Sequence, residues 1–440
     1  MWPGGSASAT APAVGGLFSP QDRALGLDRS GLSPRVQQKV VHAGVNSSSY
    51  EQAARDLAAL GDLELGPKRV ERLTRRIGRE RLDQRDAAVA AFRERPLLEQ
   101  DTVAESGRPC PAVAMVSSDG GRLQIRAPAA AAAEPDSGRC GHWRESKVAV
   151  LETYHSTVSR ADPDPGVPRC FLDLARTAQL VRGLGHALPA GLEVEGAGPE
   201  AADEPAGTDG GRAARPGRPQ RLVRSVLASR ACSDDFGPMI HQAAWGRNFF
   251  GAQRRAFLGD GQAANWTIQQ RHFPSFTAIL DFVHALSYVF AAAFAGRVRA
   301  DGAAVYARWV QAAWSGRVES ILPELEARSA ALGMPPPGCP ESDPRQLVFE
   351  ALRYLRNNAG RMHYDDYRRA GLPIMTSAVE SVIKQINRRV KGSEKFWSEP
   401  GAEAILQLRA DYLSETQPLA RFWELREDSA TGRRPYRQAG

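Results

Sequence analysis

Three short acidic stretches carry residue types suited to one kind of chemistry. They are Ser118-Asp119-Gly120-Gly121, Leu258-Gly259-Asp260-Gly261 and Ser377-Ala378-Val379-Glu380. Breaking or joining a phosphodiester needs an activated water or 3′-hydroxyl and a stabilised leaving oxygen. Two divalent ions about 3.5–4 Å apart can supply both. Carboxylates are the hard oxygen ligands that Mg²⁺ prefers, and they leave positions for water and phosphate. Clustered acids repel one another, so they stay ionised together only beside metal or cations. Each stretch also has a plain structural reading. Asp119-Gly120 and Asp260-Gly261 are common turn dipeptides, and Ser377-x-x-Glu380 is a capping box.

The third stretch opens a helix predicted from Pro373 to Lys391. Val379, Ile383, Ile386 and Val390 recur at i, i+4, i+7 and i+11 as an apolar stripe. Ser377, Glu380, Lys384, Asn387 and Lys391 repeat a similar spacing on another face, and Arg388 borders it. An acid thus heads a row of cations, with Arg389 among them. Lys384, Arg388, Arg389 and Lys391 are expected to meet DNA phosphate, or else to form a solvated basic face. Trp397 is a stacking platform for a displaced base or a core residue.

The elements that must position these groups follow in order. Helices are expected from Ser33 to about Arg95, the third of them basic, with Val70, Leu73 and Ile77 inward. Short helix, turn, basic helix is a helix-turn-helix layout, in which Arg69, Arg72, Arg76 and Arg79 would reach DNA. From Ala112 to Arg126 the period becomes strand-like, with Asp119-Gly120 either a hairpin turn or a point within one long strand. Further strands are expected at Ser146–Tyr154, Arg221–Ser229, Arg254–Asp260 and Phe276–Leu280. Asp281 ends the fifth strand, as a site residue or as the cap of the helix containing His284. The chain from Ala285 to Ala370 reads helical, with Trp309 and Trp314 in its core.

The 440 residues allow two or three domains. The expected division is a disordered start (1–28), a helical DNA-binding region (29–100), a first core segment (108–283, with a variable loop at 189–220), a helical insertion (284–372), a final core segment (373–425) and a loose tail (426–440). A formal charge of +7 suits a polyanionic partner. Cys110, Cys140, Cys170, Cys232 and Cys339 are scattered without a Cys-x-x-Cys pair, which supports neither a zinc site nor a disulfide framework. No long apolar run predicts a membrane span, and the first twenty residues lack the features of a secretory signal. A reducing, cytoplasmic compartment fits, with nucleoid association when bound to DNA.

These motifs together resemble a family. The strand order, the three acidic stretches, Phe273-Pro274, Asp281-Phe282-Val283-His284 and the run from Asn387 to Ser393 and Trp397 resemble a DDE transposase of a bacterial insertion sequence, most like the ISKra group, over about Leu32 to Trp423. The resemblance implies an α+β, RNase H-like mixed five-stranded sheet with helices, interrupted by an all-helical insertion and preceded by helix-turn-helix-like helices. It implies Asp119, Asp260 and Glu380 as a triad holding two Mg²⁺ (or Mn²⁺) ions, with Asp281 and His284 as an accessory signature. It implies double-stranded DNA as partner, both as element ends and as target, bound by a homodimer or higher oligomer, with no membrane and no small-molecule substrate. Terminal inverted repeats would be bound, cut and joined to target DNA. Two other readings compete: a degenerate, non-catalytic DNA-binding descendant of a transposase, and an RNase H-like nuclease.

Overall fold

The structure is a computed structural model, and it describes residues 27, 31–104, 107–126, 143–190, 192, 218–375, 377–392 and 394–431. Nearly all of the expected disordered start, the Ala/Pro run at 127–141, most of the variable loop and the chain beyond 431 lie outside the described residues.

Three helices come first: α1 (Pro34–Asn46), α2 (Tyr50–Gly61) and α3 (Pro67–Arg93). Ser33 and Ser49 cap α1 and α2 through their hydroxyls. Strands β1 (Val113–Ile125) and β2 (Trp143–His155) precede α4 (Leu174–Gly183) and β3 (Gln220–Ser229). Next come α5 (Ser233–Trp245), β4 (Arg254–Gly259), α6 (Ala263–His272) and β5 (Thr277–Leu280). Helices α7 (Phe282–Phe294), α8 (Arg299–Trp314), α9 (Leu322–Leu332), α10 (Pro344–Asn358) and α11 (Tyr364–Arg369) follow. The chain closes with α12 (Ser377–Val390), β6 (Phe396–Trp397), α13 (Glu399–Leu413) and α14 (Pro418–Thr431).

The six strands form one mixed sheet in the order β3-β2-β1-β4-β5, with β6 also paired to β1. β1 runs antiparallel to β2 in unbroken register from Val113 opposite Tyr154 to Gln124 opposite Trp143. Asp119-Gly120 is therefore a point within one long strand and not a hairpin turn. β2 takes one edge of β1 along its whole length. On the other edge, β4 pairs with Val113–Ser117 and β6 with Gln124 and Ile125, both parallel. Between them, from Ser118 to Leu123, that edge has no strand neighbour among the described residues.

Helices cover both faces. Along β2, Ala149 and Leu151 join one core, and Val148 and Val150 join the other. This period of two is what a sheet buried on both sides requires. The first core holds α4 to α11, so the expected helical insertion shares a continuous core with the sheet. α7 is apolar nearly all round and sits in its middle; Trp309 and Trp314 are fully buried there. The second core packs α1, α2, α3, α12, α13 and α14 against Leu123, Ile125, Val226 and Ala228. α3 crosses α13 so closely that a Cβ on Gly78 would stand 2.7 Å from that of Ala404.

Three details depart from the sequence expectation. β6 is a sixth strand, too short for any periodicity to show. α6 occupies a stretch expected only as a connection. α14 runs to Thr431, into residues expected as a loose tail, because Leu419, Phe422 and Trp423 bury against the second core.

Candidate active site

Asp119 stands in the unpaired stretch of β1, two residues past its last pairing with β4. Its cross-strand partner is Val148, so its side chain shares the face on which Val148 packs against α12. Asp260 is the residue after β4, and Asp281 the residue after β5. β1, β4 and β5 are parallel neighbours, so Asp119, within β1, lines up with Asp260 and Asp281 at the carboxyl ends of β4 and β5, where open α/β sheets form their clefts. Glu380 reaches this row from the first turn of α12, which packs across β1 and β2.

These groups lie near enough to shift one another's charge. Burial first, then the charge of Asp260, pushes the Asp119 carboxyl up to about 6. Asp281 adds to the rise, and the Gly120 N–H and His284 oppose it. Burial likewise pushes Glu380 up to about 6, helped by Asp281 and Asp119 and opposed by His284 and Lys384. Asp119, Asp260, Asp281, His284 and Glu380 thus form one electrostatic cluster.

Asp260 and Asp281 are each held by a local device. Asp260 accepts from the Gln262 N–H at 3.0 Å and from the Asn265 amide at 2.9 Å. The same Asn265 amide also reaches the Ser118 carbonyl at 3.1 Å, which ties the end of β4 to β1 beside Asp119. Tyr354 donates to the Asp260 carbonyl at 2.6 Å and stacks on Tyr288 with ring centres 3.8 Å apart. Asp281 accepts from the Val283 and His284 N–H groups, so it is the cap of α7 and also part of the cluster. The capping-box reading of Glu380 depends on the Ser377 side chain, which lies outside the described residues.

Gly261 has φ +95°, and a Cβ there would stand 2.5 Å from the Tyr354 ring. Gly261→Ala is expected to lower stability by about 1–3 kcal/mol through backbone strain and the clash. Chemical denaturation checks this; an unchanged midpoint would mean that Tyr354 moves aside freely.

Sequence reasoning missed Asn265, Tyr354 and His186. His186 follows α4 and lies edge-on to Tyr288 at 4.7 Å and near His284 at 6.5 Å. Burial holds it below the usual imidazole range, with His284 reinforcing the drop and Asp260 opposing it. No local motif marks His186. Asn265 had a weak signal, since an amide five residues after an acid on a helix can turn back to it.

The basic row divides. Lys384, Arg388 and Lys391 are exposed, and the Lys391 ammonium lies 5.7 Å from the centre of the Trp143 ring. Arg389 is a correction: only 4% exposed, it donates to the Gly44 carbonyl and is not placed to meet phosphate. Trp397 is a second correction. It is 8% exposed and its indole N–H donates to the Val390 carbonyl at 2.9 Å, so it is a core residue. The exposed indole beside the basic row is Trp143. On α12, Val382 and not Ile383 completes the fully buried stripe with Val379, Ile386 and Val390. On α3, Arg69, Arg72 and Arg79 are exposed, whereas Arg76 is half-buried against Gln37 and Glu80 and so only partly presented. Arg75, Arg81 and Arg85 turn inward, to Ser398, Asp411 and Glu403.

The donor set suits hard divalent ions: carboxylates and imidazole, with no thiolate. Burial, with repulsion between neighbours added, raises two of the carboxyls, and a bound cation relieves that strain. Among the described residues, no three such side chains are gathered closely enough to hold an ion as they stand. No helix among the described residues is long and apolar enough to cross a membrane. No known family model matches the chain, and no curated protein matches it.

Proposed function

We propose that the chain is a DDE-type DNA transposase on an RNase H-like core, cutting and joining DNA strands with two divalent ions. The observation that carries this reading is topological. A 3-2-1-4-5 sheet sets Asp119 in the strand gap of β1 and Asp260 at the end of β4, and α12 brings Glu380 across the same place. Residues distant in sequence become one electrostatic cluster.

Asp119, Asp260 and Glu380 would hold the ions. When bound, the ions would lower the pKa of an attacking water or hydroxyl and neutralise charge on the leaving oxygen. The protein's own groups do the rest. Asn265 fixes Asp260 relative to β1. Asp281 holds the first turn of α7 and thereby sets His284 at the edge of the cluster. Lys384, Arg388 and Lys391 on α12, and Arg69, Arg72 and Arg79 on α3, offer charge to the phosphate backbone. Two element ends must be brought together, so the working form on DNA is a homodimer or larger.

The direct test is incubation of purified protein with labelled DNA carrying the element's ends, with and without Mg²⁺ or Mn²⁺. Metal-dependent cuts that leave 3′-hydroxyls, followed by their transfer to a second duplex, support the proposal. Nicking without transfer points to a nuclease. The open arrangement of the acids favours a second reading, a binding-only descendant; bound ends that remain uncut in either metal would establish it.

The basic row makes its own prediction. The Lys384→Ala/Lys391→Ala double variant is expected to reduce the slope of log affinity against log salt by about 2, one per lost phosphate contact. Affinity measured across a salt series reads this. An unchanged slope with the fold intact would make the row a solvated face.

A further inference from the structure

We infer that Arg389 is a positioning residue: it fastens the helix that carries Glu380 to the N-terminal helices, so that DNA held by those helices and the acid cluster keep one fixed relation. The inference rests on the transposase reading for its DNA, and on the geometry for the fastening.

The last four carbonyls of a helix have no partner within it. Gly44 is one of these on α1, which ends at Asn46. Arg389 supplies the missing donors, with Nε at 3.2 Å and a terminal nitrogen at 3.0 Å from that oxygen. A cation at a helix C-terminus also meets the favourable end of its dipole. The guanidinium lies against both the Tyr50 ring at 4.6 Å and the Trp397 ring at 5.0 Å. Tyr50 begins α2, so one side chain of α12 grips two N-terminal helices. Arg409 on α13 adds a second fastening, donating to the Asn46 side chain and, at 2.9 Å, to the Gln385 carbonyl in mid-α12.

The carboxyl end of α12 is held as well. Lys395 donates to the Arg388 and Arg389 carbonyls, and Trp397 to that of Val390. Glu380 stands on the same helix, about 13 Å away along the axis at about 1.5 Å per residue. A buried charge is a costly way to fill space, and an apolar side chain would fill it at less cost. What the guanidinium adds is directional bonding, which fixes the register of α12 against α1. Displacements of about 1 Å at a reacting group cost on the order of 100-fold in rate.

The test uses Arg389→Met, which keeps bulk against Tyr50 and Trp397 and removes the fork, together with Arg389→Lys, which retains the charge. Two readouts are taken: affinity and single-turnover cleavage of DNA, and amide exchange with and without a mixed-sequence duplex at low salt. The expected result is affinity within about twofold of the original and cleavage down about 100-fold in the Met variant, with partial recovery in the Lys variant. In the original protein the duplex should slow exchange in α12 as well as in α1–α3. In Arg389→Met the protection should persist in α1–α3 and fall in α12, where only the direct phosphate contacts of its exposed cations remain. Duplex binding that leaves α12 unprotected in the original protein overturns the coupling alone. Affinity, cleavage and thermal midpoint falling together in both variants also overturn it, since Arg389 would then be a packing residue. No duplex binding by the original protein removes the coupling and the transposase reading together.

Discussion

Glu380→Gln is expected to lower metal-dependent DNA cleavage at least about 1,000-fold while leaving DNA affinity within about twofold, because loss of a metal carboxylate removes several kcal/mol of charge stabilisation. Glutamine keeps the size of the side chain, its χ angles and one carbonyl oxygen, but it removes the charge. Glu380 lies on the face of α12 away from Val379, Val382 and Ile386, so the substitution leaves the buried stripe intact. The exposed cations of α12 and α3 are untouched as well. Measuring binding and cleavage on the same DNA separates the two effects. Equal cleavage by both proteins would reduce Glu380 to a helix-start residue and leave the proposed triad without its third member.

Asp119→Asn is expected to make the ion-free protein more stable at pH 7.5, by up to about 3 kcal/mol, at about 1.4 kcal/mol per unit of pKa shift. The sign follows from linkage. Burial and Asp260 push Asp119 up to about 6 in the folded chain, whereas an unfolded aspartate titrates near 3.9. Between those values the folded state binds the proton more tightly, so stability falls as pH rises from about 4 to about 6. Above that window the carboxylate is held ionised at a cost that an uncharged amide avoids. Asparagine can still accept the Gly120 N–H that Asp119 accepts now. The gain should therefore shrink below pH 6 and vanish near pH 4. Mg²⁺ at about 1,000 times its Kd should reverse the order at neutral pH, since it then adds about 4.1 kcal/mol to the protein that binds it. Thermal or denaturant unfolding across pH, with EDTA or Mg²⁺, reads all of this. A variant less stable at pH 7.5 in EDTA would show that the charge of Asp119 is already compensated.

The sheet was largely legible in the sequence. Val113–Val116, Val148–Leu151, Ala256–Leu258 and Ile279-Leu280 are short apolar runs, and all are buried within the sheet. What periodicity leaves out is equally specific. α6 mixes buried Trp266 and Ile268 with buried Asn265 and Gln269, so no apolar stripe marks it as a helix. β6 is two residues long and exists because the chain turns back after Gly392, whose carbonyl takes the Gln124 amide at 2.6 Å.

In the candidate site, types and order pointed to Asp119, Asp260 and Glu380, but the partners that hold them come from contacts distant in sequence. Arg389 is the instructive case. Counted as a charge, it belongs to a basic row. Counted by spacing, Val382, Ile386 and Arg389 fall at i, i+4 and i+7, which is the apolar face. The helix obeys the spacing, and Arg389 is buried.

The strand gap in β1 has a consequence for synthesis. β1 and β2 emerge early from the ribosome, but β6 and α12, which close the far edge of β1 and cover Asp119, come from the last quarter of the chain. Domains fold as they are made, and pairings of long sequence separation form late. Until residue 380 has emerged, Asp119, Asp260 and Asp281 lack Glu380. A nascent or prematurely ended chain can therefore form most of its sheet and still lack the complete acid cluster.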